Sequence, residues 1–313
     1  MDEFGAVRLI AVDIDGTLAV DGRVSERNLA AMKAAEHAGV SVVVATGRRH
    51  CYAMKVLRGL GLGEDDALIS SNGTVTRTIG SRLLERTMLP VETARWLCGH
   101  VDEFRDALVM TFDKVGPDGE DSRGALVVER LEELNASIGR WMAANEPYIA
   151  HVDPIERALD GEAPIQMMVC GTVERMRRAE ARLLEHPAIS APSITHTAQF
   201  DGETSLEVAL HRTEYPERNL SIVDILPAGC SKGAALLRLA ASRGVRREEI
   251  VAIGDNWNDL SMLEIAGRAV LMGNAPGDLL RLAHERGWAV AKRHDEDGVA
   301  ETIEAALAAM AGE

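Results

Sequence analysis

Asp13 and Asp15 stand two residues apart in the run Asp13-Ile14-Asp15-Gly16-Thr17-Leu18. Two carboxylates so placed suit covalent and acid–base chemistry, one attacking and the other moving a proton. The apolar run Val7 to Val12 before them reads as a buried parallel strand. Gly16 breaks that strand, so both carboxylates fall at its carboxyl end, where open α/β sheets place their ligands. Residues i and i+2 of an ideal strand share a face, but a turn starting at Asp15 would splay the pair. An ordinary Asp-Gly turn accounts for the same letters without any chemistry. A calcium loop fits poorly, because its glycine belongs at the sixth position and here it is the fourth.

Two further apolar strands end in reactive groups. Val40 to Ala45 runs into Thr46-Gly47-Arg48, and Ile250 to Ile253 into Gly254-Asp255-Asn256-Trp257-Asn258-Asp259. Lys232 opens a helix at a comparable boundary. In a parallel sheet such ends share one edge and can converge. Clustered hard oxygen ligands suit Mg²⁺, which takes one or two carboxylates plus substrate phosphate. A hydroxyl, a lysine and backbone N–H groups suit phosphate oxygens. Taken singly, each has an ordinary alternative: Thr46 as a strand-end hydroxyl, Asn258 or Asp259 as helix-start residues, Lys232 as a solvated surface lysine.

The elements that must position these groups alternate. Ser25 is placed to N-cap a helix running to about Ala38, with Leu29, Met32 and Ala35 as its apolar stripe and Gly39 as its end. A second helix follows Arg48 to about Leu60. Gly59-Leu60-Gly61-Leu62-Gly63 follows a helix rather than a strand, so it reads as a C-cap and loop and not a dinucleotide motif. Ala67 to Ser70 is a short strand, and Ser71-Asn72-Gly73-Thr74 turns into a hairpin reaching about Arg86.

From Leu89 to about Leu226 the order changes to helix, strand, strand, helix, strand, helix, strand, strand, which fits an α+β layer. Its clearest strands are Ala107 to Phe112, Ala125 to Glu129, Ile165 to Cys170 and Ser205 to Leu210, and its clearest helix is Val173 to Glu185. Asp113 to Asp121 and His211 to Asn219 read as exposed polar loops. The α/β alternation returns at Ser231: a helix to Ser242, the strand at Ile250, a helix through Met262 to Ala266, a strand at Ala269 to Met272, a helix opened by Pro276, a strand at Trp288 to Ala291, and a helix Val299 to Met310. The simplest architecture is one α/β parallel-sheet core built from both ends of the chain (residues 1–88 and 227–313) with a second domain, 89–226, inserted.

A length of 313 residues suggests roughly two domains, and a hydrophobic fraction of 46% supports a real core, mostly aliphatic because aromatics are only 4%. Against 49 Asp and Glu there are 34 Lys and Arg, a net charge of −15, which argues against nucleic acid and anionic membrane partners. This acidity is odd for an enzyme acting on anions, and a bound cation would resolve it locally. Cys51, Cys98, Cys170 and Cys230 lack CxxC spacing, and the histidines lack paired spacing, so neither set reads as a metal site. Reduced thiols, an acidic Met1 to Ala6 unlike a signal peptide, and no apolar run near ~20 residues together point to a cytoplasmic protein.

Asp-Ile-Asp-Gly-Thr-Leu, Ala-Thr-Gly-Arg, Ser-Lys-Gly and Gly-Asp-Asn-Trp-Asn-Asp-Leu-Ser-Met-Leu, in this order, resemble the four motifs of the haloacid dehalogenase superfamily. The likeness is to its Cof-type branch of phosphatases, which carry a large α/β cap between the second and third motifs. Asn72-Gly73 and Asp297-Gly298-Val299 also resemble that branch. The resemblance implies a Rossmann-like core with a cap, and a Mg²⁺-dependent phosphatase of small phosphorylated metabolites such as sugar phosphates. It implies Asp13 as the nucleophile forming an aspartyl-phosphate, and Asp15 as general acid and base whose backbone carbonyl also meets the metal. Thr46, Gly47, Lys232 and Asn258 resemble phosphate binders. Asp13 and Asp255 resemble direct Mg²⁺ ligands, and Asp259 a direct or outer one.

The branch usually carries a glutamate on the strand before its lysine motif; here Asp224 stands in roughly that place, after the polar insertion. A phosphomutase would use the same nucleophile and a similar cap, and would need a bisphosphate activator. A catalytically silent binding protein would be expected to lose Asp13, Asp15 or Lys232, and all three are present.

Overall fold

The computed structural model describes residues 7–130, 139, 142–190 and 206–311; Met1 to Ala6 and Ser205 lie outside them, as does most of the helix expected between Glu129 and Ile165. The chain divides into two compact units, Met1–Leu84 with Ser231–Glu313, and Glu85–Cys230, against limits of 89 and 226 expected from the change of pattern.

The first unit begins with β1 (Leu9–Val12), a short β2–β3 ribbon (Ala19–Val20, Arg23–Val24), β4 (Ser41–Ala45), β5 (Ala67–Ser70), β6 (Val75–Thr78) and β7 (Leu83–Arg86), whose last two residues belong to the second unit. It closes with β15 (Ile250–Gly254), β16 (Arg268–Leu271) and β17 (Ala289–Val290). Among the described residues its main sheet has the order β17-β16-β15-β1-β4-β5-β6-β7, parallel through β5 and antiparallel from β5 to β6. β1 is the centre, with Val12 opposite Ile253 on one side and Val44 on the other.

Every residue of β1 is buried because both sheet faces are covered. Ile10 and Val12 pack with Met32, Ala35, Met54 and Ile303 of helices α1 (Glu26–His37), α2 (His50–Leu57) and α8 (Gly298–Ala311). Leu9 and Ala11 pack on the other face with Leu236, Met262 and Leu279 of α5 (Lys232–Ser242), α6 (Leu260–Ile265) and α7 (Gly277–Arg286). Ser25 caps α1 by accepting from the Asn28 N–H. The buried stripe of α1 is Asn28, Ala31, Met32 and Ala35, so Leu29 lies at its margin and not in it. Asn28 can take the inner place because its amide donates to the Leu18 carbonyl and accepts from the Ala300 N–H.

The second unit has α3 (Val91–His100), α4 (Val173–Leu183) and strands β8 (Leu108–Thr111), β9 (Leu126–Val128), β10 (Ile149–His151), β11 (Gln166–Gly171), β12 (Ile189–Ser190), β13 (Val208–Tyr215) and β14 (Leu220–Pro227). Its mixed sheet runs β10-β9-β8-β11-β14-β13-β12 over a single described core that includes Leu97, Met110, Val169 and Ile225. His211 to Tyr215, expected as an exposed loop, continues β13 and pairs antiparallel with β14, and His211, Thr213 and Glu214 are buried. The charges tolerate this because α4 supplies partners: Arg212 meets Glu180 at 2.9 Å, and Glu214 meets Arg177 at 3.3 Å. Asp224 sits on β14 between Met168 and His211.

Candidate active site

Three neighbouring parallel strands end side by side, and each end carries a reactive residue: Asp13 after β1, Thr46 after β4, Asp255 after β15. Helix α5 brings in Lys232. Ser231 caps it by accepting from the Ala234 N–H, and Gly73 lets it come close, since a Cβ there would collide with the Ser231 carbonyl.

Lys232 is fully buried and its Nζ donates to Asp13 Oδ1 and Asp259 Oδ1, each at 2.6 Å. Asp259 is occupied on its other oxygen too, where Oδ2 accepts from the N–H groups of Asp255 at 2.9 Å and Asn256 at 3.1 Å. Asp255 Oδ1 accepts from Thr17 Oγ1 at 2.9 Å. Asp13, Asp255 and Asp259, all buried, each bring a carboxylate oxygen within 4.8 Å of the others. One ammonium does not balance three carboxylates. Burial pushes the Asp13 carboxyl up to about 7; Lys232 opposes the rise, and Asp259 and Asp15 add to it. Burial, then Asp259 and Asp13, raises Asp255 well above the ordinary carboxylate range. Burial alone would lower Lys232, but Asp13 and Asp259 outweigh it and hold the ammonium charged.

Asp15 lies outside that hydrogen-bonded cluster. Its side chain is 42% exposed and is gripped by Arg48 through both oxygens. Thr46 is buried, and its Oγ1 accepts from the Arg48 N–H at 3.1 Å. Asn258 donates through Nδ2 to Asn72 Oδ1 at 3.2 Å, and Gly47 lies against that pair, where a Cβ would stand 3.1 Å from Asn72 Oδ1. The expected residues thus form one buried carboxylate–lysine cluster, Asp13, Asp255, Asp259 and Lys232, and a polar rim of Asp15, Thr46, Gly47 and Asn258.

Sequence reasoning assigned no site role to Thr17, Arg48 or Asn72. Thr17 and Arg48 lie inside the first two motifs, and their place just beyond a strand end is the sequence signal for them. Asn72 has a left-handed backbone, φ 52°, in the Asn72-Gly73 dipeptide that reads as a turn and as part of the family resemblance.

No helix among the described residues is long and apolar enough to cross a membrane, and the four cysteines are free and buried. The chain is 28% identical to the 5-amino-6-(5-phospho-D-ribitylamino)uracil phosphatase YwtE of Bacillus subtilis, over 96% of this chain and 98% of that one. It is also 28% identical to the HMP-PP phosphatase of an Enterobacter species, over 88% of each. A solved haloacid dehalogenase-like hydrolase from B. subtilis shares the fold with a TM-score of 0.73, at 24% identity over 95% of this chain and 99% of that one. The model of the haloacid dehalogenase-like hydrolase family matches residues 10–303, and the chain belongs to that family as a phosphatase, a phosphoric monoester hydrolase, in line with the resemblance its four motifs carry.

Proposed function

We propose that this phosphatase is Mg²⁺-dependent and hydrolyses small phosphorylated metabolites through an aspartyl-phosphate on Asp13. The observation that carries the reading is the buried group Asp13, Asp255 and Asp259 with a single lysine. The donor set fits a hard divalent cation: carboxylate oxygens only, with more negative charge than Lys232 neutralises. Asp13 and Asp255 are the residues to hold it, with the Asp15 carbonyl. Asp259, whose oxygens are taken by Lys232 and two backbone N–H groups, keeps Lys232 and the Asp255 turn in place. Bound there, the cation would neutralise charge on the phosphoryl group.

Oδ1 of Asp13 is committed to Lys232, which leaves Oδ2 to attack phosphorus. The new O–P bond forms as the ester P–O bond breaks, and Asp15, protonated and released from the Arg48 pair for this step, gives the departing alkoxide its proton. Water then attacks the aspartyl-phosphate, Asp15 takes a proton from it, and phosphate leaves with Asp13 restored. Thr46, the Gly47 N–H, Asn258 and the remaining N–H of Lys232 hold phosphate oxygens. The inserted unit, residues 85–230, selects the substrate, since the core groups read only phosphate and metal. The relatives' different named substrates, a ribitylamino-uracil phosphate and HMP-PP, support the class and leave the member open. A cytoplasmic location is consistent with the four free thiols.

The test is a panel of phosphorylated metabolites assayed for phosphate release with Mg²⁺ and after chelation. Release without a divalent cation, or none on any phosphomonoester, rejects the reading.

A further inference from the structure

We infer that Asn274 is a positioning residue for the turn that carries Asp13 and Asp15, and that it acts through the Gly16 carbonyl. The inference rests on the proposed divalent-cation reading for its metal consequence, but not for its structural one.

The turn after β1 is weakly self-supported. Thr17 N–H reaches the Ile14 carbonyl at only 3.4 Å and Leu18 N–H the Asp13 carbonyl at 3.2 Å; Ala19 N–H to Ile14 is better, at 2.9 Å. Gly16 has φ +80°, and a Cβ on it would collide with Asp255 Oδ2, so its peptide lies directly on the metal-ligand candidate. The next residue, Thr17, bonds Asp255 Oδ1. A small rotation of the 16–17 peptide would therefore disturb Asp255 from two sides.

What fixes that peptide from outside is Asn274, in the loop after β16. Its Nδ2 donates to the Gly16 carbonyl at 2.8 Å, and its Oδ1 accepts from the His294 N–H at 2.9 Å. Only one orientation of the amide satisfies both bonds, since one needs a donor and the other an acceptor. The side chain is thus a two-ended brace between segments 258 and 20 residues away. Aspartate is nearly the same shape, keeps the acceptor and lacks the donor, and would set an oxygen against the Gly16 carbonyl.

The experiment compares Asn274→Asp, Asn274→Ala and Ser25→Ala with wild type. Ser25 bonds Asp297 at 2.6 Å and caps α1 through the Asn28 N–H, and neither bond involves the 13–17 turn. Three readouts are taken: amide hydrogen exchange of residues 14–18, Mg²⁺ affinity by calorimetry without substrate, and kcat and KM. Both Asn274 variants are expected to exchange faster at 14–18, bind Mg²⁺ about tenfold more weakly and lose about tenfold in kcat with KM little changed. Ser25→Ala is expected to melt at lower temperature with Mg²⁺ affinity and kcat unchanged. Wild-type protection of 14–18 in both Asn274 variants overturns the inference, as does an equal loss of Mg²⁺ affinity in Ser25→Ala. If wild type neither binds Mg²⁺ nor releases phosphate, the proposed function fails separately, and the exchange data alone decide on Asn274.

Discussion

Arg48 holds Asp15 by both oxygens, Nε to Oδ2 at 2.6 Å and a terminal nitrogen to Oδ1 at 2.5 Å. The guanidinium lies 4.7 Å from the centre of the Tyr52 ring, so it is fixed on its far side as well. A planar fork can orient a carboxylate, whereas an ammonium can only attract it. Arg48→Lys is therefore expected to lower kcat by about tenfold while retaining the charge. Steady-state rates on an alkyl phosphate check this; a wild-type kcat in Arg48→Lys would leave Arg48 without a role in placing Asp15.

Asp15→Asn separates acid catalysis from a purely structural role. An aryl phosphate leaves with little protonation, while an alkyl sugar phosphate needs a proton on the departing oxygen. Single-turnover phosphorylation should slow much more for the alkyl substrate. Equal slowing of both would assign Asp15 to placing the turn instead.

Asp13→Asn keeps the shape and removes the charge of the proposed nucleophile. A loss of at least about 10³-fold is expected, given how slowly phosphate monoesters hydrolyse unaided. The mass of a peptide spanning Asp13, taken from acid-quenched wild type in turnover, should show the added phosphoryl group, and the variant's should not.

The buried carboxyls make the metal-free protein sensitive to pH. Asp13 stands at about 7 in the folded chain, against ~3.9 for an unfolded aspartate, and Asp255 shifts in the same direction. The folded state then binds more protons than the unfolded one between those values, so stability falls as pH rises from about 4 through 7. Chelated protein should melt at a lower temperature at pH 8 than at pH 5.5, and added Mg²⁺ should raise the melting temperature more at the higher pH. A metal-free melting temperature that climbs steadily over this range would contradict the burial of these carboxyls.

Strand ends and helix starts were legible because they are local. Val12, Ala45 and Ile253 close apolar runs, and Ser231 precedes Lys232 as a cap should. What joins those ends was not legible. Arg48 to Asp15 spans 33 residues, Asn258 to Asn72 spans 186, and Thr17 to Asp255 spans 238, with nothing in the intervening sequence to mark the pairing. The extension of β13 was hidden for a related reason. His211 to Tyr215 is polar, and its burial depends on Arg177 and Glu180 arriving from a helix some thirty residues earlier.

The order of synthesis bears on when this site can exist. β1 sits between β4 and β15, so the sheet's centre joins an early segment of the chain to a late one. A ribosome that has made the first 230 residues has supplied Asp13 and the whole of the second unit, but neither Lys232 nor Asp255. Asp13 then has no ammonium beside it, and β1 lacks its partner on one side. Interrupted translation is therefore expected to release chains without phosphoryl-transfer activity, because Lys232 and Asp255 come late and the sheet is complete only once β17, Ala289–Val290, has been made.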